Sequence, residues 1–312
     1  MATVAPSVDR PRRIALVRRL LHKPQFRFGA LVLVPVIIWY LVFALWPIIQ
    51  AVYISLVDYQ LASETRPKFV GLDNFIAMVD YDLFWLSLLH SVEYAVGLFV
   101  VMLPLSLLIS ACMVSVIRGR GFYQFVVFLP VVVSLVAISL LFKELMDGQV
   151  GLFNYILEDF GLPPSQFLAG EDTALASVVG VDIWKSTGFY VVIVTAGMLN
   201  IPQTLYEAAL VDGANVWSRF WRVTIPLLGH TLLLVSILIV FQGLQVFTQV
   251  NILPPGPGGP GNSTYVINLF VWERAFQELN FSIATAAAFA LFLIIFVITL
   301  VQIRLLRPTW SY

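Results

Sequence analysis

Hydrophobic residues in this chain fall into long unbroken runs. They show neither the alternation of a half-buried strand nor the three-to-four spacing of a surface helix. Six runs, at roughly 29–57, 85–114, 122–143, 174–199, 228–252 and 281–303, reach the length of about 20 residues that a helix needs to cross a bilayer. The last carries no charged residue. The first is too long for a cleaved export signal and lacks a small-residue cleavage site, so it reads as a retained span. The pattern predicts an all-α membrane protein of six transmembrane helices. No polar stretch is long enough for a separate soluble domain. A basic arm over 1–27 precedes a membrane domain over 28–312. Its core is five spans over about 85–306, with span one as an addition.

Composition agrees: 60% of residues are hydrophobic and only 12% charged, against about 25% charged in soluble domains. The net charge of zero conceals an asymmetry. With the N-terminus inside, the inner segments hold thirteen cations: Arg10, Arg12, Arg13, Arg18, Arg19, Lys23, Arg27, Arg118, Arg120, Arg219, Arg222, Arg304 and Arg307. The outer loops and their borders hold four, Arg66, Lys68, Lys143 and Arg274. That bias predicts a multi-pass protein with both termini cytoplasmic. Anionic lipid headgroups, and no nucleic acid, are the expected partner of the basic arm. The single cysteine, Cys112, forms no internal disulfide, and the three histidines are too scattered for a metal site.

Nucleotide chemistry is absent. Lys185-Ser186 is preceded by Trp184 where a P-loop needs glycine. Gly256 to Gly261 spells G-x-G-x-x-G, but its prolines forbid the helix that must follow. No nucleophile–base pair is recognisable, so the chain is not expected to be an enzyme.

The inner loop between spans four and five is longer than a turn requires. Pro202 ends span four, and Thr204-Leu205-Tyr206-Glu207 has the form of a capping box. A short helix then runs to about Asp212, where Gly213 supplies a left-handed stop. A second helix, from about Val216 to Val223, leads into Ile225-Pro226 and span five. Leu205, Ala208, Ala209 and Leu210 put a small, apolar surface outside the hydrocarbon, of the kind that lies in a partner's groove. Taken singly, Glu207 reads equally well as a cap and Gly213 as a turn.

Glu207-Ala208-Ala209, Asp212-Gly213-Ala214, Phe220 and Ile225-Pro226-Leu227 together resemble the signature loop of permease subunits of binding-protein-dependent ABC importers. Asp182 to Lys185, Gly197 to Pro202 and Gly259 to Thr264 are similar to the carbohydrate-importer branch, of the maltose/glycerol-phosphate type. Within that branch the chain resembles the first permease of the pair. The resemblance implies a cytoplasmic coupling helix, with Glu207, Ala208, Ala209, Asp212, Gly213 and Pro226 coupling to an ATPase. It also implies a second related permease, an ATPase dimer that holds the ATP and Mg, an extracytoplasmic solute-binding protein, and a bacterial inner membrane. No cofactor or metal is expected on this chain.

For the solute path, Gln242, Gln245 and Gln249 at i, i+3, i+7 predict one polar stripe on span five, with Asn251 near its end. The amides could face a sugar or bond neighbouring helices. In span four, Asp182 and Lys185 at i, i+3 predict an ion pair, and Trp184 reads either as a sugar-stacking ring or as part of the interfacial belt. His90 and Glu93 predict a water-facing pair. The scarcity of cations at membrane depth favours a neutral di- or oligosaccharide over glycerol phosphate. A self-contained secondary transporter is the alternative, although no internal repeat is visible.

Overall fold

The computed structural model describes residues 24–59, 67–115 and 118–306. Most of the basic arm therefore lies outside the described residues. Two compact units result, Met1–Ile54 and Ser55–Tyr312.

In the first unit, α1 (Pro24–Tyr40) passes through a π-helical turn, Leu41–Leu45, into α2 (Trp46–Ser55). The turn is widened because Pro47 follows. Proline has no N–H for the Phe43 carbonyl and its ring collides with it. Bonding Trp46 N–H back to Leu41 O opens that turn.

The second unit begins with a two-residue antiparallel ladder, β1 (Val57–Asp58) with β2 (Lys68–Phe69). Asn74 donates to the Ser55 and Val57 carbonyls, 2.9 Å each, and pins this loop to α3 (Asp73–Val79). The spans follow: α4 (Asp82–Ser115), the pair α5 (Arg120–Val132) and α6 (Leu135–Leu145), then α8 (Glu171–Leu199) after the short outer helix α7 (Leu152–Asp159). The loop between spans four and five, inner by the charge bias, contains α9 (Gln203–Val211), α10 (Val216–Arg219) and α11 (Ile225–Leu227). Span five is α12 (Gly229–Leu244) with α13 (Thr248–Ile252), and α14 (Ile267–Trp272) precedes span six, α15 (Phe281–Leu305).

Helix α8 is the axis of this unit. It has α4, α5 and α12 packed against it. Of its most apolar window 56% is buried, against 28–33% for spans two, five and six. A helix apolar on all sides has no face to give to water, so enclosure by neighbours is its stable placement. In α15 the alanine run serves packing: Ala284, Ala286 and Ala287 are buried and let helices approach closely.

Among the described residues, five helices are long and apolar enough to cross a membrane. The third predicted span is not a sixth straight rod. It is two helices bent by 89° at Val133–Ser134, with arms of about 20 and 17 Å, each too short to cross alone. Pro130 withholds an N–H from the Val126 carbonyl, and the β-branched run Val131-Val132-Val133 favours extended backbone. Val133 and Ser134 take ψ of 142° and 132°. The bend frees the Val131 carbonyl, and Lys185 Nζ donates to it at 3.3 Å. The expected Asp182–Lys185 ion pair is therefore not formed: Lys185 serves as a cap for α5.

The third outer loop also departs from a simple turn. After its proline–glycine run it re-enters the bundle, burying Tyr265, Val266, Ile267, Leu269 and Phe270. Ser91 Oγ, from α4, accepts the Ile267 N–H at 2.9 Å. Arg274 sits over the rings of Tyr81 and Phe270, 4.4 and 5.0 Å from their centroids, and pairs with Glu278. His90 turns its Nδ1 toward the Tyr265 carbonyl, 3.3 Å away, rather than toward Glu93.

Close approach of α5 to α8 depends on Gly188, where an added Cβ would stand 2.2 Å from the Val127 carbonyl oxygen. Gly180, two turns earlier, has open space at the same position. Gly188→Ala is expected to lose about 1–3 kcal/mol, the range for overpacking, seen as a lower melting temperature in detergent, whereas Gly180→Ala leaves melting unchanged. Equal behaviour of the two variants would refute the tight α5–α8 crossing.

Candidate functional site

Two places in the second unit have polar chemistry where apolar packing would be simpler. One is the inner loop. Helix α9 starts at Gln203 behind Pro202, and no side chain caps it, so the predicted Thr204–Glu207 capping box is not formed. Thr204 lies inside the first turn instead of before it, because Pro202 already fixes the entry and needs no donor of its own. Glu207 and Ala208 are exposed, and Ala209 is half-buried.

The end of α9 behaves as predicted. Gly213 takes φ +77°, and its N–H bonds the Leu210 carbonyl at 3.0 Å while the Ala214 N–H bonds that of Ala209 at 2.9 Å. This 6→1 and 5→2 pair is the Schellman closure. A Cβ at Gly213 would meet nothing within 4 Å, so only the backbone angle demands glycine. Asn215 then caps α10 by accepting the Ser218 N–H at 2.8 Å. A second π-helical turn, Phe220–Thr224, bonds Ile225 N–H to Phe220 O ahead of Pro226, repeating the device that precedes Pro47. Tyr206 and Thr224 join their hydroxyls at 3.0 Å and tie α9 to the foot of span five.

Apolar residues stand open in this loop beside the polar Glu207, Asp212 and Asn215. Val211 is 88% exposed, Val216 74% and Trp217 70%. The Trp217 ring lies 6.5 Å from Phe220 and 5.6 Å from Trp221, forming one aromatic cluster. Contiguous exposed hydrophobics of this kind mark an interaction surface. Trp217 and Trp221 went unread in the sequence, because tryptophan beside a span reads first as interfacial belt. Their spacing around Phe220 on a segment outside the apolar runs was the available signal.

The second place is at membrane depth. Asp182, 1% exposed, joins spans two, four and five. Tyr94 donates to its Oδ2 at 3.0 Å, and Ser186 and Gln242 to its Oδ1 at 2.9 Å each. Gln242 also donates to Ser186 at 3.0 Å and accepts from the Tyr190 hydroxyl at 2.7 Å. Tyr94, Ser186 and Tyr190 escaped the sequence reading. An aspartate with serine at i+4 and tyrosine at i+8 on one helix face was the signal for them.

The predicted glutamine stripe does not stay on one face. Span five breaks after Leu244, and Phe247 takes φ −145°, ψ −58°, so the helical phase is lost between Gln242 and Gln249. Gln242 turns to span four. Gln245 lines a cleft of about 520 Å³ with Asn268, Phe241 and Phe292, toward span six. Gln249 is buried, and Asn251 is half-buried in α13. Asn268 Nδ2 donates to the Val246 carbonyl released by the break, at 3.4 Å. Trp184 is 50% exposed, its ring 5.1 Å from that of Phe142. The structure thus brings Gln242 to Asp182 and leaves Trp184, Gln245 and Asn251 apart from them.

With the fold in view, the class is that of transport permeases. The binding-protein-dependent transport system inner membrane component family matches residues 108–309, and the chain belongs to it. The particular relatives are informative. The chain is 31% identical to the trehalose/maltose transport system permease protein of Thermococcus litoralis, over 91% of this chain and 95% of that one. It is 30% identical to the lactose transport system permease protein of Rhizobium radiobacter, over 88% and 92%. It is also 30% identical to the sn-glycerol-3-phosphate permease of Agrobacterium fabrum, over 90% and 95%. The fold matches a crystal structure of a bacterial ABC transporter that imports alginate, with TM-score 0.80 at 24% identity, over 96% of this chain and 100% of that one.

The network at Asp182 predicts an order of stabilities. Asp182→Ala strands three donors, each worth about 1–3 kcal/mol when buried unpaired, whereas Asp182→Asn keeps one acceptor oxygen. Thermal unfolding of the purified protein should rank wild type above Asn and Asn above Ala. Ala unfolding with wild type would contradict the network.

Proposed function

We propose that this chain is one of two related permease subunits of an ATP-driven importer, carrying a neutral di- or oligosaccharide delivered by an extracytoplasmic binding protein across a bacterial inner membrane. ATP and Mg are held by a separate ATPase dimer, and both termini are cytoplasmic. The observation that carries this reading is the inner loop: two short helices locked at a Schellman turn, with Val211, Val216 and Trp217 open to a partner. Glu207, Ala208, Ala209, Asp212 and Gly213 form the docking helix and its stop, and Pro226 fixes the pair to span five.

Relatives named for trehalose/maltose and for lactose support a sugar. The relative named for glycerol phosphate supports a second reading, an anionic solute. Lys185 supports the first of these. It is the cation of span four, and one of its three donors is spent on the Val131 carbonyl at 3.3 Å, which leaves less of it for a phosphate. Trp184, Gln245 and Asn251 are the groups left to stack on and bond a sugar.

The test is ATP hydrolysis by the assembled transporter in liposomes, against binding proteins loaded with neutral or anionic sugars. Stimulation by a neutral oligosaccharide is expected, and stimulation by anionic solutes alone would overturn the substrate assignment. In the same assay Gly213→Val should insert and assemble but lose stimulation at least tenfold. A β-branched residue at positive φ is strained by roughly 1–2 kcal/mol and would reopen the turn. Normal stimulation in that variant would refute the docking role.

A further inference from the structure

A cavity of about 250 Å³ lies beneath the inner loop, between the end of α4 and the two loop helices. Ala111, Val114 and Ser115 of α4 form one wall, and Tyr206, Arg219 and Thr224 give the other its polar atoms. It is smaller than the usual 300–1,000 Å³ of organic-ligand sites, so it suits a compact group with a few waters.

The arginines here have different tasks. Arg120 donates from Nε to Met113 O at 3.2 Å and from Nη2 to Val114 O at 3.0 Å, which neutralises the negative end of α4. Among the described residues Arg219 has no such partner. Its Nε is screened from solvent and makes no hydrogen bond, and no ion pair to it exists among the described residues. The Nε is closed off from the cavity, but Arg219 lines it, and among the described residues no hydrogen bond or ion pair competes with an oxyanion for its terminal nitrogens. In the Tyr206–Thr224 hydroxyl pair only one hydrogen is used between the two oxygens, which leaves a second donor for the same ligand.

We propose that this pocket is a phosphate-group site, filled from the inner membrane surface by the phosphate of an anionic phospholipid or by free phosphate. The assignment rests on the reading that this loop is cytoplasmic, where anionic headgroups gather and basic pockets between helices capture them. Arg219 supplies the forked donor that matches phosphate geometry, the hydroxyl pair supplies the third bond, and the bound group braces α9 and α10 against α4.

Native mass spectrometry of the complete transporter, incubated with phosphatidylglycerol or phosphatidylcholine vesicles, tests it. One phosphatidylglycerol retained per copy of this chain, with at least a tenfold drop in Arg219→Gln and no displacement by millimolar inorganic phosphate, identifies a lipid site. Inorganic phosphate binding by calorimetry that is lost in Arg219→Gln, without lipid retention, identifies a free-anion site. Ala111→Phe, which fills the pocket without altering a charge, should give the same loss and serves if Arg219→Gln does not assemble. Equal binding of both probes by wild type and either assembled variant would overturn the site. These measurements need no sugar or ATP, so a transporter that fails the hydrolysis assay would still report on the pocket.

Discussion

Inside hydrocarbon a backbone carbonyl without a partner has no water to turn to and is unfavourable by several kcal/mol. This chain releases such carbonyls where span three bends and where span five breaks, and side chains from neighbouring elements meet them. Lys185 Nζ takes the Val131 carbonyl and Asn268 Nδ2 that of Val246. The remaining arrangement follows from that requirement. With Lys185 held to α5, Gly188 one turn later falls on the same side and admits the α5 backbone. Asp182, Ser186 and Tyr190, four residues apart, fall on another side and face α4 and α12. Trp184 lies on the side that remains, which is open.

Much of this was legible in the sequence. The runs of apolar residues located the spans because length and hydropathy are local properties. Gly213 located the end of α9 because the left-handed angle is a local demand. The misreadings share a cause. Asp182 with Lys185, and Gln242 with Gln245 and Gln249, were assigned partners by spacing on a straight, unbroken helix. Tertiary structure supplied stronger partners: a carbonyl freed by a bend for Lys185, and two other helices for Asp182. The break after Leu244 then destroyed the phase on which the stripe depended. Thr204 was read as a cap because its motif is right, but Pro202 had already fixed the start two residues earlier. For Asp182 and Lys185 a non-local partner prevailed, whereas the stripe and the cap were undone by local backbone, the break after Leu244 and Pro202.

The two prolines that follow π-helical turns show what sequence can say once the rule is known. Pro47 and Pro226 each stand two residues beyond such a turn, and in both the residue between donates five back. Proline would otherwise strand the carbonyl four residues before it, so widening one turn keeps the helix continuous where a straight α-helix would kink. At Pro226 the consequence is mechanical. The chain passes from α10 through the π turn and α11 into span five with one residue outside the helices, Leu228, between them, and the Leu228 and Leu232 N–H bonds to the Thr224 and Leu228 carbonyls carry the ladder across it.

That continuity bears on how a push at the inner loop would travel. At its base α9 is joined to span four through Pro202 and to span five through Tyr206 and Thr224. Farther along, the same two spans are joined again, by Gln242 to Asp182, Ser186 and Tyr190, with Tyr94 adding span two. Two helices fixed together at two heights cannot slide or splay independently without breaking hydrogen bonds, and at Asp182 those bonds are buried. Displacement of α9 would then be carried to spans four and five together. If a partner closes on Val211 and Trp217, as the proposed docking requires, spans four and five would move as one body, and α5, held to α8 by Lys185 and Gly188, would move with them.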